Sequence, residues 1–598
     1  MSDRQTHFFK LAALLLSALI LQACASGPTD KTAGKQAIAE PEELRTPETS
    51  DLTLPPSVYA ATFSAAGEAL AQLDWMSAAS ALAELDQEPL SADDLAYRDY
   101  LAARIEHLRG DSRAAAARLA ALDGAELNPA IAYRVHNFQR HLLDLRRDYL
   151  DSARLGVRIM AMAPTADQAA LKRSIWRDLA RCSADEIDAA REGATEQTWL
   201  GWLDLARVAG KQRSLLATEL GQWQASYPGH PAGDPLPGGL AYSVNPAPSP
   251  AQVTLVLPLS GRLAPAGKAI RDGYLASYFA ARSVGEAPEK VKVLDSDLYG
   301  SASEAYNAAV QQGAQLVIGP LRKNAVAELA AQGQRTVPTI ALNRIDTATS
   351  YDGAALVQLA LAPEDEARQL ARLAFGNGAR RALILRPAGS WGDKMETSLA
   401  QQWRQLGGSI ARSITYTGQD DYSAGVKSGL GIEASEQRRR QVRDMLATNV
   451  EFTPRRRADL DAIFMLSRNP DEARAIKPLL AFHYAGALPV YATSSVYGAH
   501  YDARNRDLDN TIIVDLPWLL AARQPLRQAL SEANSDHYTR LNALGADAYL
   551  LQSRLGQLRA GPDALIAGET GLLSMNPQRQ MERELPAAIF DGDRLRPL

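Results

Sequence analysis

The spacing of apolar positions divides the chain into two regimes. From Ser57 to Tyr227, Ala, Leu and Arg predominate and apolar residues return with a helical period, broken by short turns such as Leu108–Arg109–Gly110–Asp111 and Met162–Ala163–Pro164–Thr165. From Val253 onward, short β-branched runs alternate with helical stretches, the pattern of a parallel α/β sheet. Val253–Tyr278 is its opening unit: an apolar strand, a Pro/Ser/Gly loop, and a helix whose apolar positions Ala269, Tyr274, Leu275 and Tyr278 suggest one face. Ligands of such sheets sit at the carboxyl ends of strands, which puts Leu259–Ala264 first in line to touch one.

The helical regime repeats. Asp74, Asp111, Asp148 and Asp185 stand 37 residues apart, and Ala79, Ala116, Ala153 and Ala190 follow each of them by five. This step predicts helical hairpins in which each aspartate caps a helix and each alanine lies where two helices approach closely. The pattern resembles tetratricopeptide arrays, although those step by about 34 residues and their Trp/Gly/Tyr signature is largely absent here. The aromatics Trp75, Tyr97, Tyr100, Tyr133, Trp176, Trp199, Trp202 and Trp223 are expected mostly to fill the stack.

The second regime has too many strands for one small sheet: runs at Val291–Asp295, Leu316–Ile318, Pro338–Leu342, Ala355–Leu361, Ala382–Leu385, Ile410–Tyr416, Leu460–Leu466, Leu488–Ala492 and Thr511–Val514 follow the first. Two lobes solve the problem, and the order resembles type I periplasmic binding proteins. That resemblance implies a crossing near Asn343–Val357, a return near Thr493–Tyr497, and a final helix, Leu541–Leu558, with a hairpin-like tail completing the first lobe. The expected fold is therefore multidomain: an all-α array resembling tetratricopeptide repeats at 57–227, a Pro/Gly-rich linker at 228–250, and a two-lobed α/β domain at 251–598.

What precedes the array reads as an address. Arg4 and Lys10 lead into the apolar run Leu11–Leu21, about half the length needed to span a bilayer, and Leu21–Gln22–Ala23–Cys24 resembles a bacterial lipobox. Residues 1–23 are thus expected to be a lipoprotein signal peptide, with Cys24 lipidated and serving as the new amino terminus. Ala25, rather than Asp, after that cysteine resembles lipoproteins sorted to the outer membrane. Residues 24–56, rich in Pro, Thr, Glu and Lys, would form a tether that reaches on the order of 100 Å if extended. Cys182 is left without an intrachain partner and is expected to be a buried thiol.

Tests for chemistry are mostly negative. A net charge of −5 over 598 residues gives no sign of nucleic-acid binding. Gly261–Ala269 has five residues between its glycines and alanine where a phosphate loop needs Ser or Thr. There is no Gly-x-Ser-x-Gly elbow, no Ser-x-x-Lys pair and no His-Glu-x-x-His, so neither a catalytic group nor a cofactor is expected. Asp295 and Asp297 read as turn formers. Charge concentrates at Arg438, Arg439, Arg440, Arg443, Arg455, Arg456 and Arg457, either a solvated helix face and loop or a surface that docks an acidic protein.

Several segments together resemble the LpoA family, outer-membrane lipoproteins that activate class A penicillin-binding proteins. They are Val256–Gly261, Val317–Lys323, Ile340–Asn343, Arg456–Ala462, Ala473–Pro478, Leu488–Ser494 and Leu541–Tyr549, with Lys477–Pro478, Ala492–Ser494 and Gly545–Ala546–Asp547 the most distinctive. The resemblance implies a non-enzymatic protein, anchored in the outer membrane on its periplasmic side. It would contact a bifunctional peptidoglycan synthase and raise its transpeptidase rate allosterically, with peptidoglycan itself as a further contact. The alternative is a lipid-anchored solute receptor, for which Ser260, Asn343, Ser390, Trp391 and Ser494 would face the cleft from strand ends.

Overall fold

The computed structural model describes residues 52–598, apart from 211–212, 245–248, 284–289, 333–334, 346–354, 449–450, 522–524, 534–537 and 560–563. Among these residues the array consists of five helix pairs: Ala60–Ala71 with Trp75–Ala83, Ala92–Leu108 with Ser112–Ala120, Pro129–Arg146 with Tyr149–Ile159, Thr165–Arg181 with Ala184–Glu192, and Gln197–Ala209 with Arg213–Ser226.

The caps explain the repeat and its lapse. The carboxylates of Asp74 and Asp111 accept the amides of Ser77 and Ala114, so both cap their helices. Asp148 holds the same position but pairs instead with Arg146 at 3.0 Å. Asp185 does not cap: its helix starts one residue earlier, and Ser183 and Glu186 form a reciprocal capping box. In the first two pairs the fully buried contact is the alanine one place before the expected one, Ala78 and Ala115, whereas Ala153 of the third pair is itself buried. Tyr100, Tyr133, Trp176, Trp199, Trp202 and Trp223 are core residues. Cys182 is half-buried rather than buried; desolvation pushes its thiol up to about 12, so it stays protonated.

The segment between array and body is packed in place. Ala232, Leu236 and Leu240 are buried, and Gln557 donates to the carbonyl of Gly238 at 3.0 Å. Gly238, at φ +63°, lies where a side chain would strike the Trp176 ring.

The first lobe is a parallel sheet of β1 (Gln252–Leu257), β2 (Lys290–Asp295), β3 (Leu316–Ile318), β4 (Thr339–Ala341) and β5 (Leu356–Gln358), in the order 2-1-3-4-5. The second lobe repeats that order with β6 (Arg381–Pro387), β7 (Ser409–Tyr416), β8 (Ala462–Met465), β9 (Val490–Ala492) and β10 (Thr511–Val514), arranged 7-6-8-9-10. This is the doubly wound flavodoxin-like order, occurring twice. Inner strands β3, β4, β8 and β9 are wholly buried because helices cover both faces, and the edge strand β5 is buried as well. The edge strand β2 carries Lys290 and Lys292, charges that discourage further pairing.

The lobe connections differ from expectation in three places. The chain crosses after β5, at residues 359–362, because β4 and β5 pair within the first lobe before helix Pro363–Gly376 packs on the second. It returns after β10, not near Thr493–Tyr497, entering helix Thr539–Leu558, which packs along Ala264–Ser283. The tail holds more than a hairpin: β11 (Ile566–Gly568), β12 (Gly571–Met575) and β13 (Met581–Glu584) form an antiparallel sheet. Then β14 (Ala587–Asp591) and β15 (Arg594–Pro597) join the second lobe beside β10, so the chain ends there rather than on the first lobe.

Candidate functional site

The seven arginines lie on one helix and the loop that follows it. Helix Ile432–Leu446 exposes Arg438, Arg439, Arg440 and Arg443 together with the apolar Val442, Met445 and Leu446. The following loop folds back onto it: the Arg457 amide donates to the Leu430 carbonyl at 2.8 Å, and the Arg455 amide to Ser435 Oγ at 3.3 Å. Arg439 sits over the Phe452 ring, 5.3 Å from its centre. The arginines are not equivalent. Arg457 makes a two-point pair with Asp459, and Arg456 donates to the Arg457 carbonyl, so both are half-buried and spent locally. Arg455 is exposed beside the helix.

The five proposed cleft residues have different surroundings. Ser260 is exposed after β1, beside Asp295, whose carboxylate takes the amides of Leu259 and Asp297. Asp297 itself is paired with Arg322, so these aspartates shape a turn and do not form an acid/base pair. Asn343 donates to the Leu321 carbonyl at 2.9 Å and lines a recess of about 270 Å³ with Leu541 and Leu544. Ser390 is exposed at the start of its helix, while Trp391 packs against the second-lobe core. Ser494 is buried, and its amide and hydroxyl both donate to Glu366, at 2.9 and 3.0 Å.

Glu366 opens onto a polar junction that sequence reasoning missed. It lies on the crossing helix, and next to Ser494 runs Arg540, from the return helix. The Arg540 guanidinium donates to both oxygens of Asp515 and to the carbonyls of Ser494 and Tyr497. One arginine of the returning segment thus bolts two loops of the second lobe together, those after β9 and β10. A few residues on, Asp547 is fully buried and accepts the amides of Glu569 and Thr570, fixing the same helix to the β11–β12 turn. No local signal separates Glu366 from its neighbour Glu364, so the first helical turn reads as solvated.

Burial raises the Glu366 carboxyl to about 7, with nearby Asp515 adding to the rise and Arg583 and the Ser494 bonds opposing it. The folded protein then holds a proton that the unfolded chain, near 4.5, releases. Stability should therefore fall as pH rises from about 4.5 to about 7 and level off above. Urea midpoints measured against pH should show this slope in the native protein and a flatter line in Glu366→Gln; parallel curves would refute it.

A second junction joins the array to the body. Arg181, stacked on the Tyr149 ring, bridges Asp144 at 2.6 Å and Glu584 of β13 at 2.8 Å, and Arg372 of the crossing helix reaches Asp144 at 3.0 Å. Burial pushes the Asp144 carboxyl up, but Arg181, Arg372 and Arg177 together hold it at about 2. Farther along, Arg380 donates to the carbonyls of His107 and Leu108 while its guanidinium covers Phe375. Leu145 of the array belongs to the second-lobe core. Among the described residues, no group of three or more His, Cys, Asp or Glu could hold a metal, and no helix is long and apolar enough to cross a membrane.

Two doubly wound lobes crossed by three segments, with a helical-hairpin array bolted to one of them, define a periplasmic-binding-protein-like body carrying an α-helical domain. A sequence model of the LppC lipoprotein family matches residues 59–592. The chain belongs to this family, in which its relatives bear the name penicillin-binding protein activator LpoA. The Vibrio cholerae protein of that name is 29% identical over 455 residues, 73% of each chain, and that of Aliivibrio fischeri is 28% identical over 470 residues, 76% of each. The fold is that of full-length LpoA from Haemophilus influenzae. One crystal form matches with a TM-score of 0.51 at 22% identity, covering 92% of this chain and 99% of the other.

Proposed function

We propose that this protein is a non-enzymatic lipoprotein, acylated at Cys24 and held in the outer membrane, that binds a bifunctional class A penicillin-binding protein and raises its transpeptidase activity allosterically. Cys24 and the tether lie outside the described residues. The observation that carries the reading is the family match at 59–592, supported by relatives named as activators over 70% or more of both chains. The arginine-bearing helix Ile432–Leu446 is the contact surface the geometry favours: guanidinium forks suit carboxylates, and Val442, Met445 and Leu446 supply apolar area among them.

Binding and transpeptidase assays with purified residues 25–598 and a class A synthase test the reading, and absence of both binding and stimulation would overturn it. Reversal of Arg438, Arg439, Arg440 and Arg455 to glutamate should weaken binding at least tenfold, about 1.4 kcal/mol, with circular dichroism unchanged. Added salt should weaken native binding in the same direction. Unchanged stimulation by the reversed variant would move the contact elsewhere. Saturable calorimetric binding of amino acids, peptides or muropeptides, without any effect on a synthase, would favour the receptor reading instead.

A further inference from the structure

We propose that the recess between the helical array, the crossing helix and the carboxyl-terminal sheet binds a small polyanion bearing a hydroxyl group, and that the bound anion ties these three bodies together. The recess has a volume of about 270 Å³, and six arginines and four carboxylates line it. This leaves two positive charges in excess in a partly enclosed space, where an oxyanion is attracted far more strongly than on an open surface. The charges come from all three bodies: Arg177 and Arg181 from the array, Arg368 and Arg372 from the crossing helix, Arg583 from β13. Arg368 and Arg372 stand one helical turn apart with more than a third of each side chain exposed, leaving N–H groups to spare beyond their pairs with Asp365 and Asp144.

The second observation concerns two polar atoms at the inner wall. Asp365 Oδ2 and Arg583 Nε, each on a residue only 3% exposed, have no hydrogen-bond partner. They lie 4.0 Å apart. The other oxygen of Asp365 is taken by Arg344 and Arg368, and the remaining nitrogens of Arg583 by the carbonyls of Thr570 and Ala362. A buried acceptor and a buried donor side by side are costly to leave open, and a hydroxyl, which both donates and accepts, satisfies the two at once. The ligand class follows: two or more negative charges, on carboxylates or on a phosphate, for the arginines and one hydroxyl for the inner wall. Hydroxy-acids and sugar phosphates share this chemistry.

Calorimetry on the full-length protein in detergent, with citrate and glucose 6-phosphate as probes at constant ionic strength, tests the site and separates the two sources. Saturable binding of either is expected, and tricarballylate, which is citrate without its hydroxyl, should bind about tenfold more weakly than citrate. Arg368→Gln with Arg372→Gln should weaken binding at least tenfold. Gln402→Glu, which adds a negative charge at the half-buried lining, should do likewise without removing any existing ion pair. No saturable binding of either probe, or equal affinity in native protein and Gln402→Glu, would overturn the proposal.

Discussion

Replacing Arg181 with alanine should destabilise the protein by about 3–5 kcal/mol and release the helical array from the two-lobed body. Arg181 is 12% exposed and lies among three carboxylates: Asp144, Asp178 and Glu584. Their desolvation is tolerated only because the guanidinium is present. Without it two nearly buried negative charges, Asp144 and Asp178, face each other with weakened compensation. Arg372, 40% exposed, serves the same Asp144 from the solvent side, so Arg372→Ala should cost less than about 1 kcal/mol. The ranking distinguishes a buried ionic joint from a surface decoration. Calorimetric unfolding should show an earlier first transition in Arg181→Ala, and amide exchange in Pro363–Gly376 should rise; equal effects of the two substitutions would refute the account. Asp144→Asn in the Arg181→Ala background should recover part of the loss, since neighbouring sites are not additive. The native pair also has a pH signature. Asp144 is held at about 2 against an ordinary 3.8, so its stabilisation is present above pH 3.8 and is lost as pH falls through about 2.

Much of the fold was legible because the residues that declare it act locally. The 3.6-residue period of the array, the Asp caps at Asp74 and Asp111, and the apolar runs of β3 and β10 depend on neighbours a few positions away, and the structure places them where the pattern does. The lobe crossings failed because they depend on pairing between distant segments. A three-residue strand such as Leu356–Gln358 looks the same in sequence whether it closes the first lobe or leaves it. The tail failed for the same reason: Ala587–Asp591 finds β10 from far along the chain, Val514 pairing with Ala587, and nothing local announces that register. The site divides likewise. The arginine cluster was visible as composition, whereas the fate of Arg457, tied to Asp459, and the role of Arg540, which reaches Asp515 and Ser494, emerge only from the folded chain.

Two of the three segments most distinctive in sequence, Ala492–Ser494 and Gly545–Ala546–Asp547, have a common structural reason. Ser494 anchors Glu366, Asp547 anchors the β11–β12 turn, and Gly545 permits two helices to touch. All three are joints at which the crossing or returning segments are fastened. Arg540 pins the returning segment to two loops of the second lobe.

Gly545→Ala should destabilise the first lobe by about 3 kcal/mol or more, and the reason is the identity of the obstacle. Helices Ala264–Ser283 and Thr539–Leu558 cross with backbone against backbone. A Cβ on Gly545 would lie 2.0 Å from the Ile270 carbonyl oxygen and 2.8 Å from the Tyr274 amide, and one on Gly273 would lie 1.9 Å from the Asn542 carbonyl oxygen. None of these atoms can swing aside, so the helices must separate. Separation would also break the bond from Asn542 Nδ2 to the Ala269 carbonyl, 3.0 Å, and loosen the buried Tyr274–Gln552 contact. Gly556, on the same helix, is the control: the atoms a Cβ would meet there belong to the Tyr242 ring, a side chain that can rotate, so Gly556→Ala should cost clearly less. Gly221 predicts the opposite sign. It lies within helix Arg213–Ser226 with nothing within 4 Å of its would-be Cβ, and alanine there should stabilise by about 0.5–1 kcal/mol through helix propensity. Urea unfolding of the three variants should therefore order them Gly221→Ala, native, Gly556→Ala, Gly545→Ala from most to least stable. A Gly545→Ala protein as stable as the native one would show that the two helices do not meet as closely as their backbones require.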